Sequence, residues 1–338
     1  MQIGSYSLTT PLALAPMAGI TDKPFRQLCR SFGAGWAVSE MISSDPSLQH
    51  RRKTQHRLDH AGEAGIRVVQ IAGSDPEQLA QAARMNVAQG AQIIDINMGC
   101  PAKKVCHVLA GSALLQNEPL VAEILHTVVA AVDVPVTLKT RLGWDDTHQN
   151  ILTVAQLAEQ AGIAALAVHG RTRTQMYRGE ACYDLFIPLR EQTSLPLWVN
   201  GDLTSPQKAW QIWKQTGANG VMIGRGAQGQ PWLFRDMAYF FEHGILPEPL
   251  DVAEHAEVIR QHVQEIHDFY GDFMGVRMAR KHIAWYVTSL PEGNTFRQMI
   301  NTVEDAKQQR QLLDVFLKQQ VARLVVWPCS YRSNNIFD

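Results

Sequence analysis

No two cysteines in this 338-residue chain stand at CxxC spacing, and the five present (Cys29, Cys100, Cys106, Cys182, Cys329) are odd in number. That argues against a disulfide framework or a zinc knuckle and suits a reducing compartment, so a cytoplasmic protein is expected. The twelve histidines include no HExxH motif, and no metal centre is expected. No apolar run approaches membrane-spanning length, and the start Met1-Gln2-Ile3-Gly4-Ser5 lacks the charged head and apolar core of a secretion signal. No membrane partner is expected. Charge of one sign is missing too: 31 basic against 32 acidic residues leave a net charge of −1. A polyanionic partner must therefore be sought in local clusters. What remains, 46 % hydrophobic and 19 % charged residues, is ordinary globular composition. The length suits one large domain, or a large one with a small companion.

From Leu12 to about residue 240, short apolar runs alternate with helical patterns. Eight runs stand out: Leu12–Pro16, Trp36–Ser39, Val68–Ala72, Ile93–Asn97, Val134–Lys139, Ala165–His169, Leu195–Asn200 and Gly220–Gly224. Between them helices have readable ends. Asp75-Pro76 opens one that turns Leu79, Ala82 and Ala83 inward and stops near Gly90; Thr204-Ser205-Pro206 opens another with Ala209, Ile212 and Trp213, ending at Gly217. Strands this apolar are covered on both faces, as in parallel sheets. Eight such units point to an α/β fold, a closed (β/α)8 TIM barrel over residues 1–243. An open doubly wound sheet is the competing architecture, but Ala15-Pro16-Met17-Ala18-Gly19 does not supply its Gly-rich phosphate turn.

After Pro247 and Pro249 the texture changes. Val252, Ala256, Ile259, Val263, Ile266 and Tyr270 recur at helical spacing, with further helices expected around Val276–Val287 and Val303–Leu317. A small all-helical domain is expected over residues 244–320. The tail 321–338 has no clear period.

On a barrel, the residues after each strand gather at one mouth. Those endings are Pro16-Met17-Ala18, Glu40, Gln70, Asn97 with Cys100, Lys139 with Arg141, His169 with Arg171 and Arg173, Asn200-Gly201-Asp202, and Gly224-Arg225. Cys100 lies on a short turn, where Gly99 allows an unusual backbone and Pro101 blocks a helix. It is a buried structural thiol or a reactive one. Gly201 and Gly224 let backbone N–H groups approach a phosphate, or simply make tight turns. Lys139 could form a Schiff base as in an aldolase, donate to an anionic or carbonyl-rich ring, or reach water. His169 is a cofactor donor or a satisfied core histidine. Basic residues cluster after three strands: Arg51, Arg52, Lys53 and Arg57; Lys103 and Lys104; Arg171, Arg173 and Arg178. Together they make a local polyanion site plausible. Arg277, Arg280 and Lys281 add a basic stripe in the helical region beside Trp285.

Four segments in order, Ala15-Pro16-Met17-Ala18-Gly19-Ile20-Thr21-Asp22, Asp95-Ile96-Asn97-Met98-Gly99-Cys100-Pro101, His169-Gly170-Arg171-Thr172-Arg173 and Asn200-Gly201-Asp202, resemble the tRNA-dihydrouridine synthases. The resemblance runs to about residue 320. Ser39-Glu40-Met41 and Arg280-Lys281-His282 make it most similar to the bacterial B-type branch. It implies a barrel holding FMN, reduced by NADPH, that saturates the C5–C6 bond of a uridine in tRNA, with position 17 of the D-loop expected. It implies Pro16, Met17, Ala18 and Gln70 against the flavin ring and Lys139 at its polar edge. His169, Asn200, Gly201, Asp202, Gly224 and Arg225 would hold the phosphate. It further implies Cys100 as catalytic residue and Asn97 and Arg141 facing the uracil. Lys103, Arg171, Arg173 and Arg280 are expected to contact tRNA, and a monomer is expected. The chemistry agrees: saturating C6 leaves carbanion character at C5, and a thiol of pKa near ~8.5 is a protonated general acid at neutral pH. A flavin barrel acting on a free pyrimidine, of the dihydroorotate-dehydrogenase kind, is the nearest alternative. A Schiff-base aldolase and a non-catalytic RNA-binding module are more distant ones.

Overall fold

The computed structural model describes residues 2–48, 52–106, 109–329 and 331, with only the backbone described for Arg52, Lys53, Lys103 and Lys104. Strands β1 (Gln2–Ile3) and β2 (Tyr6–Ser7) form an antiparallel hairpin. Nine parallel strands come after it: β3 (Leu12–Leu14), β4 (Trp36–Ala37), β5 (Ile42–Ser43), β6 (Val68–Ala72), β7 (Ile93–Met98), β8 (Val136–Arg141), β9 (Ala165–His169), β10 (Leu197–Asn200) and β11 (Gly220–Ile223). Their order in the sheet is β4-β3-β11-β10-β9-β8-β7-β6-β5. The two ends of that order, β4 and β5, are pieces of one strand interrupted at Val38–Met41. Val38 bridges Val68 of β6, so the sheet closes on itself. This is the eight-unit barrel expected, with its second strand broken.

The helices that cover the barrel begin where the sequence places them. Asp75 caps Pro76–Ala88 by accepting from Gln78 N–H, with proline in the first turn, and Leu79, Ala82 and Ala83 are buried. Pro206–Thr216 likewise starts at its proline. The lower interior of the barrel is apolar. Trp36 and Trp198 meet edge to face at 5.1 Å, and Ile3 and Leu8 bring the hairpin into the same core. Buried rings of this size are worth about 3–5 kcal/mol each on truncation to alanine. That apolar floor leaves the upper interior for polar groups.

The chain divides into two compact units, Met1–Leu203 with Gln207–Gly224, and Thr204–Pro206 with Arg225–Asp338. The second unit contains the helices Leu233–His243, Val252–Val287, Gly293–Ile300 and Ala306–Arg323. The two helices expected over 252–270 and 276–287 are both present within Val252–Val287, separated by a break at Gly271, where φ is +74° and ψ 170°. The helix Gly293–Ile300 has no counterpart among the expected elements, and the last helix runs six residues past Leu317. The described part of the tail packs on its own unit: Trp327 is buried and stacks on His255 at 5.0 Å, and Tyr331 donates its hydroxyl to Asp236 at 3.0 Å. Among the described residues no helix is long and apolar enough to cross a membrane.

Candidate active site

Strand register explains why residues remote in sequence converge. Side chains two apart on a strand share a face. Asp95 and Asn97 of β7 therefore rise together, as do Thr137, Lys139 and Arg141 of β8. Register sets Asp95 level with Gln70 and Thr137, Asn97 level with Lys139, and Arg141 level with His169, which in turn pairs Asn200. The shared face is the interior one. Lys139 Nζ donates to Asn200 Oδ1 at 3.2 Å, although their strands are not neighbours in the sheet. Asn200 Nδ2 in turn donates to Met222 O at 2.7 Å.

The backbone N–H and C=O groups of both Gly99 and Cys100 are held. Asn97 Oδ1 accepts from Gly99 N–H at 3.2 Å and Cys100 N–H at 2.9 Å, an Asx turn. Gly99 O accepts from Arg141 Nε at 2.7 Å, and Cys100 O accepts from both Ser112 N–H and Ser112 Oγ. Gly99 does not adopt a positive φ, so the unusual backbone expected there is absent. Its glycine serves space instead, because a Cβ would lie 3.3 Å from Thr140 O. Cys100 is half-buried, and burial pushes its thiol above the ordinary value. The proton therefore stays on sulfur at neutral pH.

Burial also lowers Lys139 to about 8, with Arg141 adding to the effect and Asp95 opposing it. It remains mostly an ammonium near pH 7. Arg141 is lowered to about 10 by burial. Its Nη1 donates to Thr172 O at 2.9 Å and Met176 O at 2.8 Å, and its guanidinium lies 5.4 Å from the Tyr177 ring. Rather than projecting freely, it ties the loop after β9 to the cysteine turn.

At the ends of β9 and β10, Arg171 grips Asp202 with two parallel bonds, at 2.9 and 2.7 Å, and lies 3.3 Å from His169 Nε2. Ala181 N–H donates to the same carboxylate at 2.8 Å. Burial alone would raise the Asp202 pKa, but the Arg171 bonds and charge together with the Ala181 N–H outweigh it and hold it low. Asp202 is thus spent on Arg171 rather than open to an anion. Gly201 sits at φ +124°, where a Cβ would come within 2.8 Å of Ala181 Cβ and 3.1 Å of His169. Opposite, the loop Pro16-Met17-Ala18 after β3 adjoins the end of β11: a Cβ on Gly224 would touch Met17 Sδ at 3.7 Å.

Other expected residues are placed differently. Arg225 is exposed and opens the second unit. Arg173 lies over Trp144 at 4.4 Å. Arg57, from the basic cluster, pairs with buried Glu40 at 3.1 Å. Arg280 belongs to the second unit, half-buried and donating to Val303 O at 2.7 Å. Arg51 and the side chain of Lys103 lie outside the described residues. His56 and His60 stand four apart, a spacing that can pass for a metal pair, but His60 Nδ1 is 2.8 Å from Glu63. Among the described residues no group of three His, Cys, Asp or Glu is placed to hold a metal ion. Sequence reasoning missed Asp95 and Thr137. An acid within an otherwise apolar strand run was the available signal.

The family described as Dihydrouridine synthase (Dus) matches residues 13–322. The "tRNA-dihydrouridine synthase B" of Pseudomonas syringae pv. tomato is 55 % identical over 91 % of this chain and 92 % of its own. That of Shewanella oneidensis is 52 % identical over 95 % and 99 %. Among solved structures, an old yellow enzyme homologue from Zymomonas mobilis superposes with TM-score 0.51 at 15 % identity, covering 74 % of this chain and 93 % of that one. Morphinone reductase gives 0.52 at 15 %, covering 74 % and 90 %. At such identity these two speak for the barrel fold alone. With nine-tenths of its length matched by the family and relatives above half identity, the chain belongs to the dihydrouridine synthase family.

Proposed function

We propose that this protein reduces a uridine of tRNA to 5,6-dihydrouridine, using FMN as cofactor and NADPH as electron donor, with position 17 of the D-loop as its target. The observation that carries the reading is the meeting of Lys139, Asn200, Asn97 and Cys100 at one end of the barrel. The residues fit FMN. An ammonium and the Gln70 carboxamide line the wall for a carbonyl-rich ring, with Pro16, Met17 and Ala18 on the loop that would lie against it. His169 supplies a donor for a phosphate beside Asn200 and Gly201, where no side chain fits, and the Arg171–Asp202 pair frames that position. Gly224 completes the phosphate set, and Asp202 contributes by fixing Arg171. FMN, once reduced, supplies the hydride for C6 of the uracil.

The protein's own residues do the rest. Asn97 and Arg141 define the uracil position, directly or through the cysteine turn, and Cys100 Sγ–H gives its proton to C5. A uracil stacked in tRNA is out of reach until extruded, at a cost of a few kcal/mol. Phosphate contacts from Lys103, Arg173 and Arg178, and from Arg277, Arg280 and Lys281 in the helical stretch 244–320, offset that cost and make binding salt-sensitive. Catalysis is assigned to the barrel and tRNA binding to the helical region. The protein works as a monomer in the cytoplasm.

The purified protein is expected to be yellow and to release FMN on denaturation, identified by absorbance and mass. A colourless protein that takes up no FMN when it is added would remove this reading.

A further inference from the structure

Inside the barrel, polar groups form one unbroken line. Thr137 Oγ1 donates to Asp95 Oδ1 at 2.7 Å, and Gln70 Nε2 donates to Asp95 Oδ2 at 2.7 Å. Asn97 Nδ2 donates to Gln70 Oε1 at 2.8 Å. The N–H groups of Gly99 and Cys100 then donate to Asn97 Oδ1. The two links between Asp95 and the turn are carboxamides, and each shows an NH2 on one side and an oxygen on the other. Neither fixes its own direction. An ionised carboxylate only accepts, so Asp95 forces Gln70 to turn its NH2 downward and its oxygen up. Asn97 must then give its NH2 to Gln70, which leaves its oxygen for the two backbone donors of the turn.

We infer that Asp95 is a positioning residue for the reaction: as a carboxylate it sets the direction of the Gln70 and Asn97 amides and thereby the shape of the Cys100 turn. The inference rests on reading Cys100 as the acid of uridine reduction. With a proton on Oδ2, Asp95 becomes a donor towards Gln70. Satisfying it turns the Gln70 oxygen down and sets NH2 against NH2 at Asn97. If Asn97 turns as well, its NH2 faces two N–H donors and the turn loses its acceptor.

The neighbourhood of Asp95 is sparse in charge. On β6 the facing group is Gln70 and on β8 it is Thr137, with Lys139 the cation whose field reaches it. The segment Gly111–Gln116 carries no charged residue, and in the helix Pro76–Ala88 the charged Glu77 and Arg84 pair with each other at the surface. Burial, opposed by the Thr137 and Gln70 bonds and by Lys139, pushes Asp95 up to about 6.

The test uses flavin-loaded enzyme, reduced beforehand and mixed with unmodified tRNA, with dihydrouridine formed per turnover followed from about pH 5 to 8. In the unaltered protein the rate falls below about pH 6. Asp95→Asn satisfies its partners in either direction, so it neither titrates nor selects. The acid limb disappears and the neutral rate drops about tenfold. Thr137→Val removes a bond that favours the carboxylate, so the limb moves to higher pH. An acid limb unmoved in both variants overturns the role of Asp95. Should Asp95→Asn not fold, the Thr137→Val shift decides alone. A protein that holds no flavin, or leaves tRNA unreduced at every pH, overturns the functional reading and this inference with it.

Discussion

Cys100→Ala lowers dihydrouridine formation by about 10²–10⁴-fold, the usual span for loss of a general acid, while bound flavin still accepts electrons from NADPH. The split reflects what the thiol contributes. It is half-buried on a turn fixed by Asn97, Arg141 and Ser112, so its removal leaves the surrounding hydrogen bonds in place. Only the proton for C5 is lost. Burial raises the thiol pKa, so the acid form persists through neutral pH and the thiol's own titration lowers the rate only on the alkaline side. Cys100→Ser keeps the shape but offers a much weaker acid, and is expected to resemble alanine more than cysteine. Mixing pre-reduced enzyme with unmodified tRNA and weighing the nucleoside product measures the step in isolation. Product formed by the alanine variant at the unaltered rate would dismiss Cys100 as the proton donor.

Much of the scaffold is legible in the sequence because its signals are local. The apolar runs end where strands end; Asp75 starts one helix by a capping bond that needs no distant partner, and Pro206 opens another. The polar residues after each strand reach one mouth because parallel strands all point the same way. Register is not legible. Nothing in the spacing of Asp95, Gln70 and Thr137 shows that they lie level and form one hydrogen-bonded set. Partners of cations are also hidden. Arg57 and Arg171 count towards a basic rim in the sequence and Arg141 as a group facing the uracil, yet Glu40, Asp202, and the carbonyls of Gly99 and Thr172 occupy them in the fold. The helix Gly293–Ile300 escapes notice because its N-cap, Glu292, makes no side-chain cap bond and sits at φ +60°. Tertiary contact, rather than a start signal, defines it: Phe296 stacks on Phe316 at 4.1 Å.

Glu63→Ala is expected to cost about 3–5 kcal/mol of stability, the largest loss foreseen for a single change away from the mouth. Arg26, in the helix Lys23–Ser31, places Nε 2.8 Å from Glu63 Oε1 and Nη2 2.5 Å from Oε2, and the two side chains are each only 2 % exposed. Its Nη1 donates to Thr21 O, and His60 Nδ1 joins Glu63 at 2.8 Å. The cluster ties the loop after β3 to the segment before β6. Removing the carboxylate leaves a guanidinium buried without its counter-charge, a worse state than having neither group. Arg26→Met with Glu63→Leu should therefore cost much less than Glu63→Ala alone. The pH dependence has a definite sign. Burial by itself would raise the Glu63 pKa, but the bonds from Arg26 and His60 outweigh it and hold it at about 2. The unfolded value is about 4.3, so the stabilisation is complete above that pH and fades as the pH falls towards about 2. Urea unfolding of the unaltered protein and Glu63→Gln at neutral pH should differ by about 3 kcal/mol, and the gap should close on acidification. A gap of the same size at both ends of that range would show that the Arg26–Glu63 pair does not govern the difference.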